Sequence, residues 1–342
     1  MLKFIGLSFG ILIKFVMRIS LEEAIFLLKR GEVVAIPTET VYGLAADATN
    51  PDALKKIYAT KARPPTNPLI VHIADIAQCE HWVTEFPPLA QTIAHAFWPG
   101  PLTLVLNAKP EVSGILTADQ PTVALRVPNH PIALDLLKKS GLALAAPSAN
   151  KYTQLSPTTA AHVEAGLGAQ IPVLDGGACQ VGIESSIVQV FKTEGGHWGW
   201  RLLRKGMVSA EQIALATQMA EATDDQVPSE KIQVPGQHHL HYSPRTPLAL
   251  VKDKKILKQK IEACLRENKR CVALMFEKTF QEESWPCQVK TLPASATIYA
   301  EHLYAVLHDL DAMNVTQIFV ESPPETAEWL PILDRLQRAS QQ

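Results

Sequence analysis

Residues 33–73, VVAIPTETVYGLAADATNPDALKKIYATKARPPTNPLIVHI, place two buried-strand signals around one helix signal. The apolar run Val33–Ile36 ends in Pro37, Thr38, Glu39 and Thr40, a buried strand entering a loop of hydroxyls and a carboxylate. Asn50, Pro51 and Asp52 open a short helix that carries Lys55, Lys56 and Tyr58. Lys61, Ala62 and Arg63 follow, and Pro64 and Pro65 stop the helix. Asn67 and Pro68 lead into a second apolar strand, Leu69–Ile73, with His72 inside it. A chain with this order of signals is committed to an α/β arrangement with polar groups gathered at strand ends.

Lys61 and Arg63 stand two apart at a helix exit beside stiff prolines. Two cations held that close repel each other, which suits an anionic partner. Arginine offers a planar fork and lysine a point charge, the usual pair for phosphate oxygens. The bland alternative is a solvated basic helix end favoured by the macrodipole. His72 likewise has a bland alternative, a satisfied core histidine in a strand.

Upstream, Ser20 caps a helix through Arg30, with Leu21, Ala24, Ile25, Leu27 and Leu28 at helical spacing and Gly31 at its end. The first sixteen residues, MLKFIGLSFGILIKFV, resemble a short signal peptide. However, Lys14 interrupts the apolar stretch, it is too short to span a bilayer, and no A-x-A cleavage site follows. We expect translation to begin at Met17, with residues 1–16 an upstream misreading. N-terminal sequencing of native protein tests this, and a mature chain keeping Met1 contradicts it.

The 342 residues suffice for two domains. A net charge of -2 gives no global field to draw in nucleic acid, although a local basic patch around Lys55, Lys56, Lys61 and Arg63 stays open. The five cysteines (79, 179, 264, 271 and 287) form no C-x-x-C pair, which points to reduced thiols in a cytosol and gives no zinc spacing.

Further along, helices are expected near Ile76–Trp82 and over Leu89–Phe97, with a strand over Leu102–Asn107. WPGPLT between the last two reads as a rigid structural corner. Pro121–Pro128 is a short strand containing Thr122 and Arg126. An arginine flanked by apolar residues in a buried strand is costly unless it meets an anion, and a protein carboxylate is the bland partner. A helix, Pro131–Ser140, and a strand, Leu142–Ala146, end in Pro147, Ser148, Ala149 and Asn150, small and polar residues that let a ligand approach the backbone. S-x-N by itself is a weak signal, common in turns. Ser156 and Pro157 are expected to cap a helix Thr158–Ala165. Strands follow at Ile171–Leu174 and 182–190, and another ends at Arg204. Ser209 to about Ala222 reads as a helix.

Residues 223–247 are polar and proline-bearing, a linker. His238, His239 and His241 suggest a metal site, but no cysteine or carboxylate lies at ligand spacing, so no protein-held metal is expected. From Leu248 onward strands and helices alternate: Leu248–Val251, Lys255–Glu267, Cys271–Phe276, Val289–Leu292, Thr297–Met313, Gln317–Glu321 and Trp329–Arg338. That is a small parallel α/β domain without a G-x-G-x-x-G motif.

PTETVYGL followed by K-x-R-P-x-x-N-P-L resembles the YrdC/Sua5 family, the threonylcarbamoyl-AMP synthases. The resemblance continues through WPGPLT, Ser148–Asn150 and the linker's P-G…H-Y-S-P. The family's E-S-T is here Glu184, Ser185 and Ser186, and its L-R-P-G has Lys205 in place of proline. It implies a twisted mixed-sheet YrdC-like domain over 17–222, a linker and lid over 223–247, and a smaller parallel, Rossmann-like Sua5 domain over 248–342. It implies a nucleotidyltransferase that joins L-threonine, bicarbonate and ATP into L-threonylcarbamoyladenylate, releasing pyrophosphate, for t6A37 modification of tRNA in the cytoplasm.

Carried over by position, Lys61, Arg63, Ser148 and Asn150 form the family's central constellation. Arg63, Asn67, Thr122, Ser148, Ser156, Arg204 and Tyr242 would touch ATP, Tyr242 as a lid. Thr40, His72, Arg126, Ala146 (by backbone) and Ser185 would hold threonine. Magnesium would arrive with ATP and bridge its phosphates. The transfer machinery that consumes the product, and tRNA, are the implied partners, and no membrane is. Two rivals are open: a double-stranded RNA-binding module of the same fold without catalysis, and carbamoyl transfer. The latter needs an acylphosphatase-like part and zinc-finger cysteines, which this sequence lacks.

Overall fold

The structure is a computed structural model that describes residues 17–227, 232–236 and 241–341. The segment 1–16 and the linker histidines His238 and His239 lie outside the described residues.

The first part of the chain builds one large sheet. Its strands are Arg18–Ile19 (β1), Val34–Ile36 (β2), Gly43–Asp47 (β3), Ile70–His72 (β4), Leu102–Asn107 (β5), Thr122–Arg126 (β6), Leu144–Ala145 (β7), Val173–Leu174 (β8), Ser186–Lys192 (β9) and Trp198–Arg204 (β10). Their order is β1-β8-β2-β3-β7-β4-β6-β5-β9-β10. β4 runs parallel to β6 and β5 to β9, whereas β3 and β4 are antiparallel to β7, so the sheet is mixed.

Helices Leu21–Lys29 (α1), Pro51–Lys61 (α2), Pro88–Phe97 (α3), Gly114–Thr117 (α4), Pro131–Ser140 (α5), Ala160–Leu167 (α6) and Ala210–Thr217 (α7) accompany it. Local signals set their ends. Ser20 and Glu23 close a capping box on α1, and Asn50 accepts from the Asp52 and Ala53 amides at the start of α2. The strands are buried on most positions because helices and loops cover the sheet.

The second part alternates as its sequence pattern predicts. Leu248–Val251 (β11), Lys254–Arg266 (α8), Cys271–Phe276 (β12), Glu277–Glu282 (α9), Gln288–Leu292 (β13), Ala296–Ala312 (α10), Gln317–Glu321 (β14) and Leu330–Ala339 (α11) form a separate sheet of order β11-β14-β12-β13. All its pairings are parallel.

Some local readings change. Residues 43–47, to which the sequence reading gives no element, form β3 in a hairpin with β2, Val34 opposite Ala45. GLAAD has weak intrinsic strand preference, and burial on both faces decides it. The helix expected from Thr158 begins at Ala160 with Thr159 as its cap, and Ser156 instead turns its hydroxyl to Glu184. α4 and α9, one and two turns long, carried no readable periodicity.

The two parts share an apolar seam in which Val41, Leu155, Ile183 and Tyr242 pack with Leu303, Tyr304 and Leu336. Gly182 sits at its edge with φ +77°, and a Cβ there would lie 2.3 Å from the Ala300 carbonyl oxygen. Only glycine lets α10 come this close.

Candidate functional site

The ends of β4, β6 and β9 converge with the loops after β2 and β7 around one cavity of about 50 Å³. Of the positions singled out from the sequence, Thr40, Arg63, His72, Arg126, Ala146, Ser148, Ser185, Arg204 and Tyr242 line it. Lys61, Asn67, Thr122, Asn150 and Ser156 are not brought to its wall.

Lys61 is the last residue of α2, and Ala62 takes a left-handed φ of 51°. That turn sends the two cations to different acceptors. Lys61 is 2% exposed and donates to the carbonyls of Ser148 and Asn150, the latter at 2.7 Å. Burial, with Arg63 and Lys151 nearby, lowers its pKa well below the ordinary lysine value. It braces the Ser148–Asn150 turn from behind. Asn67 offers its backbone carbonyl to Tyr58 and Arg63, at 3.0 and 3.3 Å. Thr122 starts β6 and is buried.

Arg63 and Arg204 are buried guanidiniums with only neutral acceptors. Arg63 donates to the carbonyl of Pro68 at 2.8 Å. Arg204 donates to the Ser185 carbonyl at 3.0 Å, the Ser185 hydroxyl at 3.1 Å and the Pro235 carbonyl at 3.1 Å. Burial works against the charge on both. Among the described residues neither has a carboxylate within ion-pair distance, and the Arg63 Nε has no partner. Two desolvated cations on one cavity wall form a site for an anion.

The other buried arginines are paired. Arg126 meets Glu39 at 2.7 Å, so the bland partner weighed for it is present, and its Nε also donates to the Gly100 carbonyl. Beside it His72 is driven down to about 3 by burial and by the Arg126 charge, so its imidazole stays neutral. Its Nδ1 has no partner among the described residues. The Ala146 amide donates to the Ile70 carbonyl, so a backbone contact from Ala146 to a ligand falls to its carbonyl. Thr40 shares a hydroxyl contact of 2.9 Å with Thr38, and Ser185 one of 2.8 Å with Thr103.

The linker closes the cavity. Pro235, Gly236, His241 and Tyr242 line it, and Ile232 and Val234 pack on Ile70, Val105 and Ile187 of the sheet. Tyr242 has a left-handed φ of 59° and is 1% exposed. His241, considered only as a metal ligand from the sequence, is a wall residue, and burial lowers its pKa to about 3. Glu184 is a charged wall residue that sequence reasoning left without a role. The motif around it was visible, but its partners, Tyr304 and Arg335, lie far along the chain.

Among the described residues no group of three or more His, Cys, Asp and Glu side chains is placed to hold a metal ion. The wall carboxylate Glu184 is taken by Arg335, and Glu39 by Arg126. No helix among these residues is long and apolar enough to cross a membrane.

The family model described as Telomere recombination (Sua5, YciO and YrdC) matches residues 26–206. A second, described as Threonylcarbamoyl-AMP synthase, C-terminal domain, matches residues 208–341. The chain belongs to the Sua5/YrdC family. This Sua5/YrdC chain is 40% identical to the Threonylcarbamoyl-AMP synthase of Bacillus subtilis, covering 93% of the chain and 92% of that protein. It is 35% identical to the Pyrococcus abyssi protein of the same name, covering 92% of each. The crystal structure of P. abyssi Sua5 complexed with L-threonine superposes with a TM-score of 0.83 at 32% identity, covering 94% of both chains. The Sua5/YrdC fold therefore extends over both sheets of this chain.

Proposed function

We propose that the chain is a threonylcarbamoyl-AMP synthase whose substrates are L-threonine, bicarbonate and ATP. The observation that carries this is the pair of unpaired buried guanidiniums, Arg63 and Arg204, on the cavity wall beside Arg126 and His72. The names of the full-length relatives and the threonine complex of the P. abyssi protein support the same assignment.

The chemistry runs in two steps. The threonine amine attacks the carbon of bicarbonate or of CO2 derived from it, giving a carbamate and, from bicarbonate, water. A carbamate oxygen then attacks the α-phosphorus in line, the bond from that phosphorus to the bridging oxygen breaks, and pyrophosphate leaves. This needs alignment and fixed positive charge on the departing oxygens rather than a protein nucleophile. Arg63 and Arg204 supply the charge. Arg126 meets the threonine carboxylate, in exchange for or shared with Glu39. Neutral His72, Thr40, Ser185 and the Ala146 carbonyl orient the rest of the amino acid. Ser148 faces the nucleotide, and Lys61 with Asn150 holds its turn in place. Asn67, Thr122 and Ser156 reach the nucleotide only when the cavity opens, Ser156 by giving up its bond to Glu184.

A cavity of about 50 Å³ is far below the few hundred Å³ that a bound ligand of this size fills. Tyr242, on the cavity wall, acts as the lid that opens to admit the substrates. Magnesium enters with the nucleotide, as part of that substrate. The product would pass to the tRNA threonylcarbamoyl-transfer machinery in the cytoplasm.

A double-stranded RNA-binding module without catalysis is not supported. The cations lie inside a cavity rather than along an exposed face, and the relatives carry a synthase name. The test is pyrophosphate release from ATP. It should require both threonine and bicarbonate, and release that ignores threonine rules the proposal out.

A further inference from the structure

Arg335 is 1% exposed and comes from α11, in the second part of the chain, yet it reaches the cavity wall. Its Nε donates to Glu184 Oε2 at 3.0 Å and its Nη2 to the Glu184 carbonyl at 3.4 Å. Its Nη1 donates to the Lys205 carbonyl at 2.7 Å and meets Asp334 at 3.0 Å. The guanidinium lies 5.1 Å from the centre of the Tyr242 ring. One side chain thus touches the start of β9, the end of β10 and the linker tyrosine.

Glu184 is fully engaged on that side. Ser156 donates to its Oε1 at 2.5 Å, and the Tyr304 hydroxyl, from α10, lies 3.2 Å from Oε2. Burial opposes the charge on Glu184, but Arg335, Arg204 and Ser156 together hold its pKa below the ordinary value. Glu184 is bonded in sequence to Ser185, the residue on which Arg204 rests. Released from Arg335, a buried carboxylate would turn to Arg204, a cation without a carboxylate whose charge already acts on it. That pairing would cancel one of the two charges the proposed nucleotide needs.

We propose that Arg335 is a positioning residue: by holding the Glu184 carboxylate it keeps Arg204 free for the phosphates. The second domain is then part of the active site's charge balance as well as a support. This rests on the synthase reading above.

The test is pyrophosphate release by the full chain with ATP varied at saturating threonine and bicarbonate. Arg335→Met should raise the ATP KM at least tenfold with kcat within threefold. Arg335→Met/Glu184→Gln, which also removes the stray carboxylate, should return KM to within threefold of the unaltered chain. A merely structural role predicts no such rescue. An Arg335→Met KM within threefold of the unaltered chain, or a folded double variant no better than the single, overturns the proposal. If Arg335→Met gives no cooperative thermal transition, Arg335→Lys against Arg335→Gln decides. Arg335→Lys, which keeps the charge, should hold the ATP KM within threefold of the unaltered chain and Arg335→Gln should raise it tenfold, and equal KM values overturn the role of Arg335. If the unaltered chain releases no pyrophosphate in response to threonine, the synthase reading fails instead.

Discussion

Among single residues, what separates the five arginines of this region is their partners. Arg126 and Arg335 each hold a carboxylate, whereas Arg63 and Arg204 hold carbonyls and a hydroxyl, and Arg201, farther out on β10, holds the Gln189 amide. Arg63→Ala should lower pyrophosphate release by about a hundredfold or more, while far-UV circular dichroism stays unchanged. Release within a few-fold of the unaltered chain removes Arg63 from the site. The buried histidines make a second prediction. His72 and His241 are held near 3, against about 6.5 for an unfolded chain. Between those values the unfolded chain binds more protons, so both contribute stability that is complete above pH 6.5 and lost as pH falls toward 3. Each adds a slope of up to about 1.4 kcal/mol per pH unit. His72→Gln should flatten the dependence of the urea midpoint on pH between 7 and 4, and an unaltered slope contradicts its neutral burial. The sequence made Lys61 and Arg63 visible as neighbouring cations but not that they turn to different acceptors. That depends on one left-handed backbone angle, at Ala62, and alanine carries no signal for it.

Among the elements, Gly182 and Gly236 stand where a close neighbour, backbone for the first and a side chain for the second, leaves no room for a Cβ. Gly182→Ala would drive a Cβ against the carbonyls of Ala300 and Glu301 and force a φ of +77° on an L-residue. A loss of about 1–3 kcal/mol in urea unfolding is expected, and a change below a few tenths would show that α10 does not press on this loop. Gly236, with φ +89°, would place a Cβ 2.2 Å from the Tyr242 hydroxyl. Gly236→Ala should therefore loosen the linker and speed cleavage within 223–247 by dilute protease several-fold. The same change at exposed Gly195 serves as the control and leaves the rate alone. Elements with strong local signals were legible: α1 and α2 through their caps, and β11 to α11, α9 apart, through alternation. β3 was not, because a Gly-Leu-Ala-Ala-Asp strand is specified by what packs on it rather than by its own composition.

At the level of the whole molecule, the candidate-site cavity is closed by residues from three regions of the chain. Strand-end loops of the large sheet form the wall, the linker forms the roof, and α11 sends one arginine through the apolar seam to the back. Motif positions made the wall legible, since Thr40, Arg63, His72, Arg126, Ser148, Ser185 and Arg204 all reach it. The Glu184–Arg335 pairing spans 151 residues and had no local trace. The linker's seat on Ile70, Val105 and Ile187 was equally hidden, because Ile232 and Val234 are isolated apolar residues in a polar stretch. The central claim is that Arg63 and Arg204 await the phosphates of a nucleotide that reacts with carboxylated threonine. The most direct measurement is pyrophosphate release from ATP by the full chain with threonine and bicarbonate omitted in turn. Release that collapses without either substrate is the expected result. Release that persists without threonine, or no release with all three present, contradicts the claim.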